Sequence, residues 1–266
     1  MDIKNRRMIV QSIIRKGSEH PVFCEDFMSF HNGGRYFIGA VFDGCSGGNE
    51  SHFASSLFGK AFNQTLMNSG FISGDSLEER GKEFMRTFIH KLFEVKVVLD
   101  LNEGDMLTTF IMLVYDKVHG EALTLSVGDG IICCDGETMI MENTRFEITN
   151  PDNYKDMPDY IAYDLNEIGL EKGVFDNWYG NRVAIKKYID PQDISISTDG
   201  IFTFNTPDGE IDIVQHLLMD DKWIGNKIML SKKVNILKTK YKSIHKDDIS
   251  IIRLVTNFNK DDKGNN

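Results

Sequence analysis

The chain has 266 residues, long for one ordinary domain and short for two, which favours a single large domain. Hydrophobic residues make up 41% and charged residues 26%, globular proportions that exclude bulk disorder. With 30 basic and 40 acidic side chains the net charge is −10, which weighs against nucleic acid and anionic membranes as partners.

In chain order, residues 8–14 and 36–42 read as apolar, β-branched strands, with the turn signal Asn32-Gly33-Gly34 before the second and a short strand after Glu25-Asp26. Two helices follow. In 50–68, Phe53, Leu57 and Ala61 recur every four residues beside Phe58, Phe62 and Leu66. In 76–100, Leu77, Phe84, Phe88, Leu92, Val95 and Leu99 form one stripe, and Ser76 with Glu79 predicts a capping box. Strands return at 107–115, 122–127 and 130–134, the first two joined by a hairpin at Lys117-Val118-His119-Gly120. The stretch 143–181 is polar, contains Pro151 and Pro158, and is expected to be a long loop or flap. Strands at 182–189 and 193–198, helices at 208–220 and 223–242, a last strand at 249–255 and a polar tail at 257–266 complete the order. Such segregated runs predict an α+β fold with helices packed on mostly antiparallel sheets.

Four cysteines, Cys24, Cys45, Cys133 and Cys134, contain no C-x-x-C pair, and the adjacent Cys133 and Cys134 are expected on opposite faces of a strand. No run approaches the roughly 18 apolar residues of a membrane span, so the expectation is a reduced, cytoplasmic protein.

The apolar strands share one feature: they end or begin in acids. Residues 37–42 run into Asp43-Gly44, 123–127 into Gly128-Asp129-Gly130 and 194–198 into Asp199-Gly200, while Asp247-Asp248 opens the last strand and Glu25-Asp26 opens an early one. One Asp-Gly is most simply a tight turn. Four or five acids at the ends of core strands are placed where a rigid scaffold can converge them. Converged carboxylates repel unless a cation joins them, and all-oxygen clusters suit hard ions such as Mg²⁺ or Mn²⁺.

In order and rough spacing, Cys24-Glu25-Asp26, Asp43-Gly44-Cys45-Ser46-Gly47-Gly48, Thr108-Thr109, Ser126-Val127-Gly128-Asp129-Gly130, Ser197-Thr198-Asp199-Gly200-Ile201 and Asp247-Asp248-Ile249-Ser250 resemble the metal-dependent protein phosphatases of the protein phosphatase 2C family. The resemblance spans about residues 20–255, and Gly17-Ser18-Glu19-His20 before the first motif resembles a bacterial branch.

The resemblance implies a β-sandwich of two antiparallel sheets flanked by helix pairs, within a domain over 1–256. It implies two Mn²⁺ or Mg²⁺ ions bridged by Asp43, with the Gly44 carbonyl on one and Asp199 and Asp247 on the other. It places Glu25 on a metal-bound water, Asp26 in support and Asp129 beside a third ion. It further implies hydrolysis of phosphoserine or phosphothreonine in proteins by a water between the ions, and an opposing Ser/Thr kinase. Three positions depart from the family. Pro21 stands where many relatives have a phosphate-gripping arginine, leaving His20, Arg15, Lys16 or Arg35 as substitutes, with His20 and Arg15 the selected candidates. Cys45 stands where eukaryotic members often have a histidine. Thr203 replaces an acid of the third ion site, so that site is expected to be empty or filled only at high Mn²⁺. A catalytically weak relative acting as a phosphoprotein-binding or regulatory module, and a phosphatase of small phosphomonoesters, are the alternative readings. Trp178 and Tyr179 are read equally as substrate contacts or as packing within the flap.

Overall fold

The computed structural model describes residues 8–20, 22–69, 71, 73–141, 158–168, 172–206 and 211–256. In chain order the elements are β1 (Ile9–Arg15), β2 (Asp26–Gly33), β3 (Tyr36–Asp43), α1 (Ser51–Ser69), α2 (Leu77–Leu99), β4 (Phe110–Asp116), β5 (Glu121–Val127), β6 (Gly130–Cys134), β7 (Glu137–Met141), α3 (Ile161–Ile168), α4 (Lys172–Arg182), β8 (Ala184–Ile189), β9 (Asp193–Ser197), β10 (Phe204–Asn205), α5 (Met229–Thr239), β11 (Ile244–His245) and β12 (Ile249–Val255).

β3 shows how these elements stack. Its alternate side chains point to opposite faces, so Phe37 and Val41 enter one apolar layer while Ile38, Ala40 and Phe42 enter another. A strand apolar on both faces must be covered on both. One five-stranded sheet runs β2-β3-β4-β5-β8 and the other β1-β12-β9-β6-β7, with every neighbouring pair antiparallel. The layer between them holds Phe37, Val41, Ile111, Leu113, Ile194, Ile196, Ile252 and Leu254. The helices α1 to α4 cover the outer face of the first sheet, and α5 covers that of the second. The expected α+β sandwich is therefore the observed architecture.

Local chemistry explains the helix boundaries. Ser76 caps α2 through the Glu79 amide, and the Glu79 carboxylate accepts the Ser76 amide, the reciprocal capping box the sequence predicts. The stripe departs from expectation at its end. Leu99 is exposed, whereas Lys96 is buried and its ammonium donates to Asn166 at 2.7 Å. In α1 the buried row is Ala54, Phe58, Ala61 and Phe62, and the Phe53–Leu57 row is only half-buried. Cys133 and Cys134 do face opposite layers.

The 143–181 stretch is not a simple loop. Residues 143–157 and 169–171 lie outside the described ones, as does the tail at 257–266. The remainder forms α3 and α4, whose Ile161, Leu165, Phe175, Trp178 and Tyr179 are buried in the helical layer. Trp178 donates to Asp164 at 3.2 Å, so its indole packs inside this pair. Of the helix expected at 208–220, residues 208–210 also lie outside the described ones, and a short π-helical turn, Gln215–Met219, occupies the end. The helix expected from 223 starts only at Met229, because Trp223 adopts a left-handed backbone (φ 65°) and the Asn226 side chain accepts the Ile228 amide in a turn.

The β4–β5 hairpin carries a buried charge. Asp116 takes both forks of Arg35 at 2.5–3.0 Å, the His119 Nδ1 at 2.9 Å and the Val118 amide at 2.9 Å. Burial pushes this carboxyl up, but the bonds outweigh it and lower it from the ordinary 3.8 to about 2. A depressed acid stabilises the fold above its unfolded value, and that contribution is lost as pH falls through the folded value. Between about pH 4 and pH 2 the protein should therefore lose about 2 kcal/mol through Asp116 alone. Urea titrations at several pH values should show a shallower acid slope, with lower stability at neutral pH, for Asp116→Asn; parallel slopes would show that this cluster is inert.

Candidate metal centre

The acids converge because antiparallel strands deliver them to one end of the sandwich. Asp43 ends β3 and sits opposite Asp26, the first residue of β2. Asp129 occupies the β5–β6 turn, Asp199 opens a 3₁₀ turn after β9, and Asp247 precedes β12. Ligand oxygens of Asp43, Asp129 and Asp199 all lie within 4.8 Å of one another.

The backbone that carries Asp43 is tightly held. Its carbonyl accepts the Thr109 amide at 2.8 Å and the Thr108 hydroxyl at 2.7 Å, the Gly44 amide donates to Glu25 at 3.1 Å, and the Cys45 amide donates to Leu107 at 3.1 Å. None of these bonds uses the Gly44 carbonyl. A Cβ at Gly44 would lie 2.2 Å from the Ser51 carbonyl oxygen, so this close approach admits only glycine.

A second network ties the two sheets together beneath the acids. The Thr198 hydroxyl donates to Asp26 at 2.8 Å and accepts the Ser250 amide at 3.0 Å. It joins β2, the turn after β9, and β12.

Glu25 and His20 form the rim. The Ser46 hydroxyl donates to Glu25 at 2.8 Å. His20 Nδ1 lies 2.9 Å from Asp248, and its Nε2 lies 3.4 Å from Asp247 and 3.7 Å from Glu25. Asp248, fully buried, also accepts the Gly17 amide at 2.6 Å and the Glu25 amide. Burial pushes Asp248 up, but His20 and the two amides outweigh it and hold it below the ordinary carboxylate value. Burial likewise lowers His20, and the carboxylates around it outweigh that and raise it.

The electrostatics fit a cation. Burial, and then Asp26 and Asp199, push Asp43 well above the ordinary carboxylate value. Burial and Asp199 push Asp129 up to about 7. One Asp199 carboxylate oxygen is buried without a hydrogen-bond partner. Among the described residues, no ion pair joins Asp43, Asp129 or Asp199 to a lysine or arginine. A dense anionic cluster of hard oxygens matches the donor set of Mg²⁺ or Mn²⁺.

Three of the basic candidates, His20, Arg15 and Arg35, have different surroundings. His20 faces the acids. Arg15 donates to the Ile14 carbonyl and to Ser231 on α5, both at 3.1 Å, so its bonds carry it toward that helix. Arg35 is bound to Asp116 at the β4–β5 hairpin. Cys24 and Cys45 are both free thiols. Burial, with Asp248 and Asp26 nearby, pushes Cys24 up to about 12. Cys45 meets the hydroxyl of the buried Tyr160.

Several contributors carry no role in the sequence reading, among them Thr198, Ser46, Asp248 and Tyr160. Asp248 organises His20 and Glu25 together, although it stands beside Asp247 in a quoted motif. Tyr160 reaches Cys45 from the 143–181 stretch, where nothing in the local pattern marks it.

A family model described as Protein phosphatase 2C matches residues 15–219. No curated relative matches the sequence. Among solved structures, the chain is similar to serine/threonine phosphatase Stp1 from Staphylococcus aureus, with TM-score 0.60 and 12% identity over 94% of this chain and 95% of that one. It is similar to the S. agalactiae serine/threonine phosphatase with TM-score 0.58 and 12% identity, over 94% and 99% of the two chains. It also resembles the phosphatase domain, with a fragment of the regulatory domain, of the cell fate determinant SpoIIE from Bacillus subtilis, with TM-score 0.53 and 14% identity. That match covers 96% of this chain but 65% of the other, so the chain spans less than two thirds of that structure. At these identities the likeness is one of fold.

Proposed function

Because the chain belongs to the protein phosphatase 2C family, we propose that it is a metal-dependent phosphatase acting on phosphoserine and phosphothreonine in proteins. The observation that carries this reading is the convergence of Asp43, Asp129 and Asp199 within 4.8 Å, with no lysine or arginine paired to them among the described residues. Asp43, the Gly44 carbonyl, Asp199, Asp247 and Glu25 would hold two Mg²⁺ or Mn²⁺ ions, with Asp129 on the flank. Bound there, such ions supply a nucleophilic water at neutral pH and positive charge against the phosphate.

The chain's own side chains do the positioning. Asp26, through Thr198, fixes the spacing of the two sheets under the acids. Ser46 orients Glu25. Asp248 holds one edge of the His20 ring, so that Nε2 faces the acids and offers a donor where relatives offer an arginine. We assign phosphate contact to His20 rather than to Arg15.

The rim favours a macromolecular substrate. Val22 and Phe23, 69% and 56% exposed, immediately precede Cys24 and Glu25, and Phe23 stacks on His52 at 4.1 Å. Phe202, 45% exposed, lies in the turn opened by Asp199. A small phosphomonoester has nothing for these groups to meet, whereas a peptide chain does. A substrate phosphorylated by a Ser/Thr kinase, encountered in the cytoplasm, completes the proposal; no described helix is long and apolar enough to cross a membrane.

The test compares p-nitrophenyl phosphate with a phosphopeptide panel, with Mn²⁺ and with excess EDTA. Turnover of both substrates that EDTA stops is expected. Phe23→Ala should lower kcat/KM about tenfold for peptides with an apolar residue beside the phosphoresidue, the effect of losing one buried apolar contact. It should leave p-nitrophenyl phosphate within about twofold. Turnover of the small ester alone would support a phosphomonoesterase. Peptide binding without turnover would support a binding module. Turnover unchanged in excess chelator would sink the metal mechanism.

A further inference from the structure

Two segments far apart in sequence present Asp199 and Asp247: the turn 199–203 after β9 and the loop before β12. They lie in direct contact. A Cβ added at Gly200 would fall 1.7 Å from the Asp248 carbonyl oxygen, so the turn rests on that loop's backbone. Just beyond, β10 pairs with β11, Phe204 opposite His245 and Asn205 opposite Ile244.

Between the acids and that ribbon sits Thr203. Its hydroxyl donates to the Gly200 carbonyl at 2.7 Å and accepts the amides of Lys246 at 3.2 Å and Asp247 at 3.1 Å. A hydroxyl has one proton and two lone pairs, so these three bonds use its whole capacity. One side chain thus fastens the turn that begins with Asp199 to the backbone amide of Asp247 itself. The β10–β11 pairing already joins the two segments, so the topology does not require Thr203. What the hydroxyl adds is the placement of residues 246 and 247 relative to 199 and 200. The same saturation leaves it no lone pair for a cation, so Thr203 is unavailable as a ligand to a third ion.

We infer that Thr203 is a positioning residue that sets the separation of Asp199 and Asp247 and thereby the affinity of the site for divalent metal. The inference rests on the metal-centre reading above. Partners that orient metal ligands typically cost about 10–100-fold in metal affinity or activity when removed.

The experiment is calorimetric titration of the full chain with Mn²⁺, comparing wild type, Thr203→Val and Thr203→Ser, with thermal unfolding of each metal-free protein alongside. Valine keeps the shape and removes all three bonds; serine keeps the hydroxyl. The expected result is an Mn²⁺ Kd raised about tenfold or more in Thr203→Val and restored to within about threefold of wild type in Thr203→Ser. Thr203→Ala takes the place of the valine variant if that protein does not fold, with the same expected loss. A Thr203→Val that melts lower but binds Mn²⁺ as wild type does would overturn the inference, since a purely structural bond predicts that outcome. Equal weakening in the serine variant would overturn it too. Wild-type protein that takes up no Mn²⁺ would refute the metal-centre reading itself, and the positioning role with it.

Discussion

Asp43→Asn should abolish turnover and most Mn²⁺ binding while leaving the fold intact. The bonds that hold this segment run from the Asp43 carbonyl and the Gly44 and Cys45 amides, and the substitution touches none of them. Losing a shared carboxylate forfeits several kcal/mol of charge stabilisation, and each 1.4 kcal/mol is about tenfold in rate, so a loss of roughly 10³-fold or more is expected. The metal-free variant should be at least as stable as wild type, because Asp26, Asp199 and Asp247 all repel the Asp43 carboxylate. Asp199→Asn should follow closely, and Asp129→Ala should cost least. Steady-state kinetics and thermal unfolding without metal check these points together. A destabilised, unfolded Asp43→Asn would mean that the carboxylate is structural. Equal losses at Asp129 and Asp199 would mean that the working core includes the flanking acid.

Arg253→Ala should cause the largest loss of stability. Arg253 is 0% exposed in β12. Its guanidinium takes Asp193 of β9 in a fork at 2.5–3.1 Å, Asp221 at 2.6 Å, and the carbonyls of Met219 and Asp220 at 3.0 and 2.8 Å. Beside it the fully buried Lys233 of α5 donates to the carbonyls of His216, at 2.7 Å, and Asp220. Together the two cations clamp the π-helical turn to the second sheet. Removing one partner of a buried charge network leaves the other charges and carbonyls unsatisfied, which costs about 3–5 kcal/mol. Against a typical total of roughly 5–15 kcal/mol, that is a large share. Denaturant titration should show it directly, and a change below about 1 kcal/mol would show that solvent replaces the network.

Much of the architecture follows from local pattern. The apolar run of β3, the capping box of α2 and the Lys117–Gly120 hairpin each act within a few residues, and each appears where the sequence predicts it. The same reasoning misplaces Leu99, because a stripe records which face is apolar and not how far the neighbouring element extends. It leaves α3 and α4 unread, since both are short and lie in a stretch otherwise rich in Asn, Asp and Gly. Only the surface they cover, the outer face of the first sheet, makes them stable.

The candidate site divides along the same line. That acids stand at the ends of core strands is a property of the sequence alone, and antiparallel pairing makes their convergence at one end an economical expectation. Which cation-bearing side chain meets them is not encoded locally. Arg15 and His20 lie within six residues, yet of these two it is His20 that turns to the acids, because Asp248, 228 positions away, holds its ring. Thr203 reads as a lost ligand in the sequence and as a saturated three-way link in the fold. Hydrogen-bond partners are chosen by spatial proximity after the sheets have closed, so the residue types were visible in the chain and their roles were decided by tertiary contact.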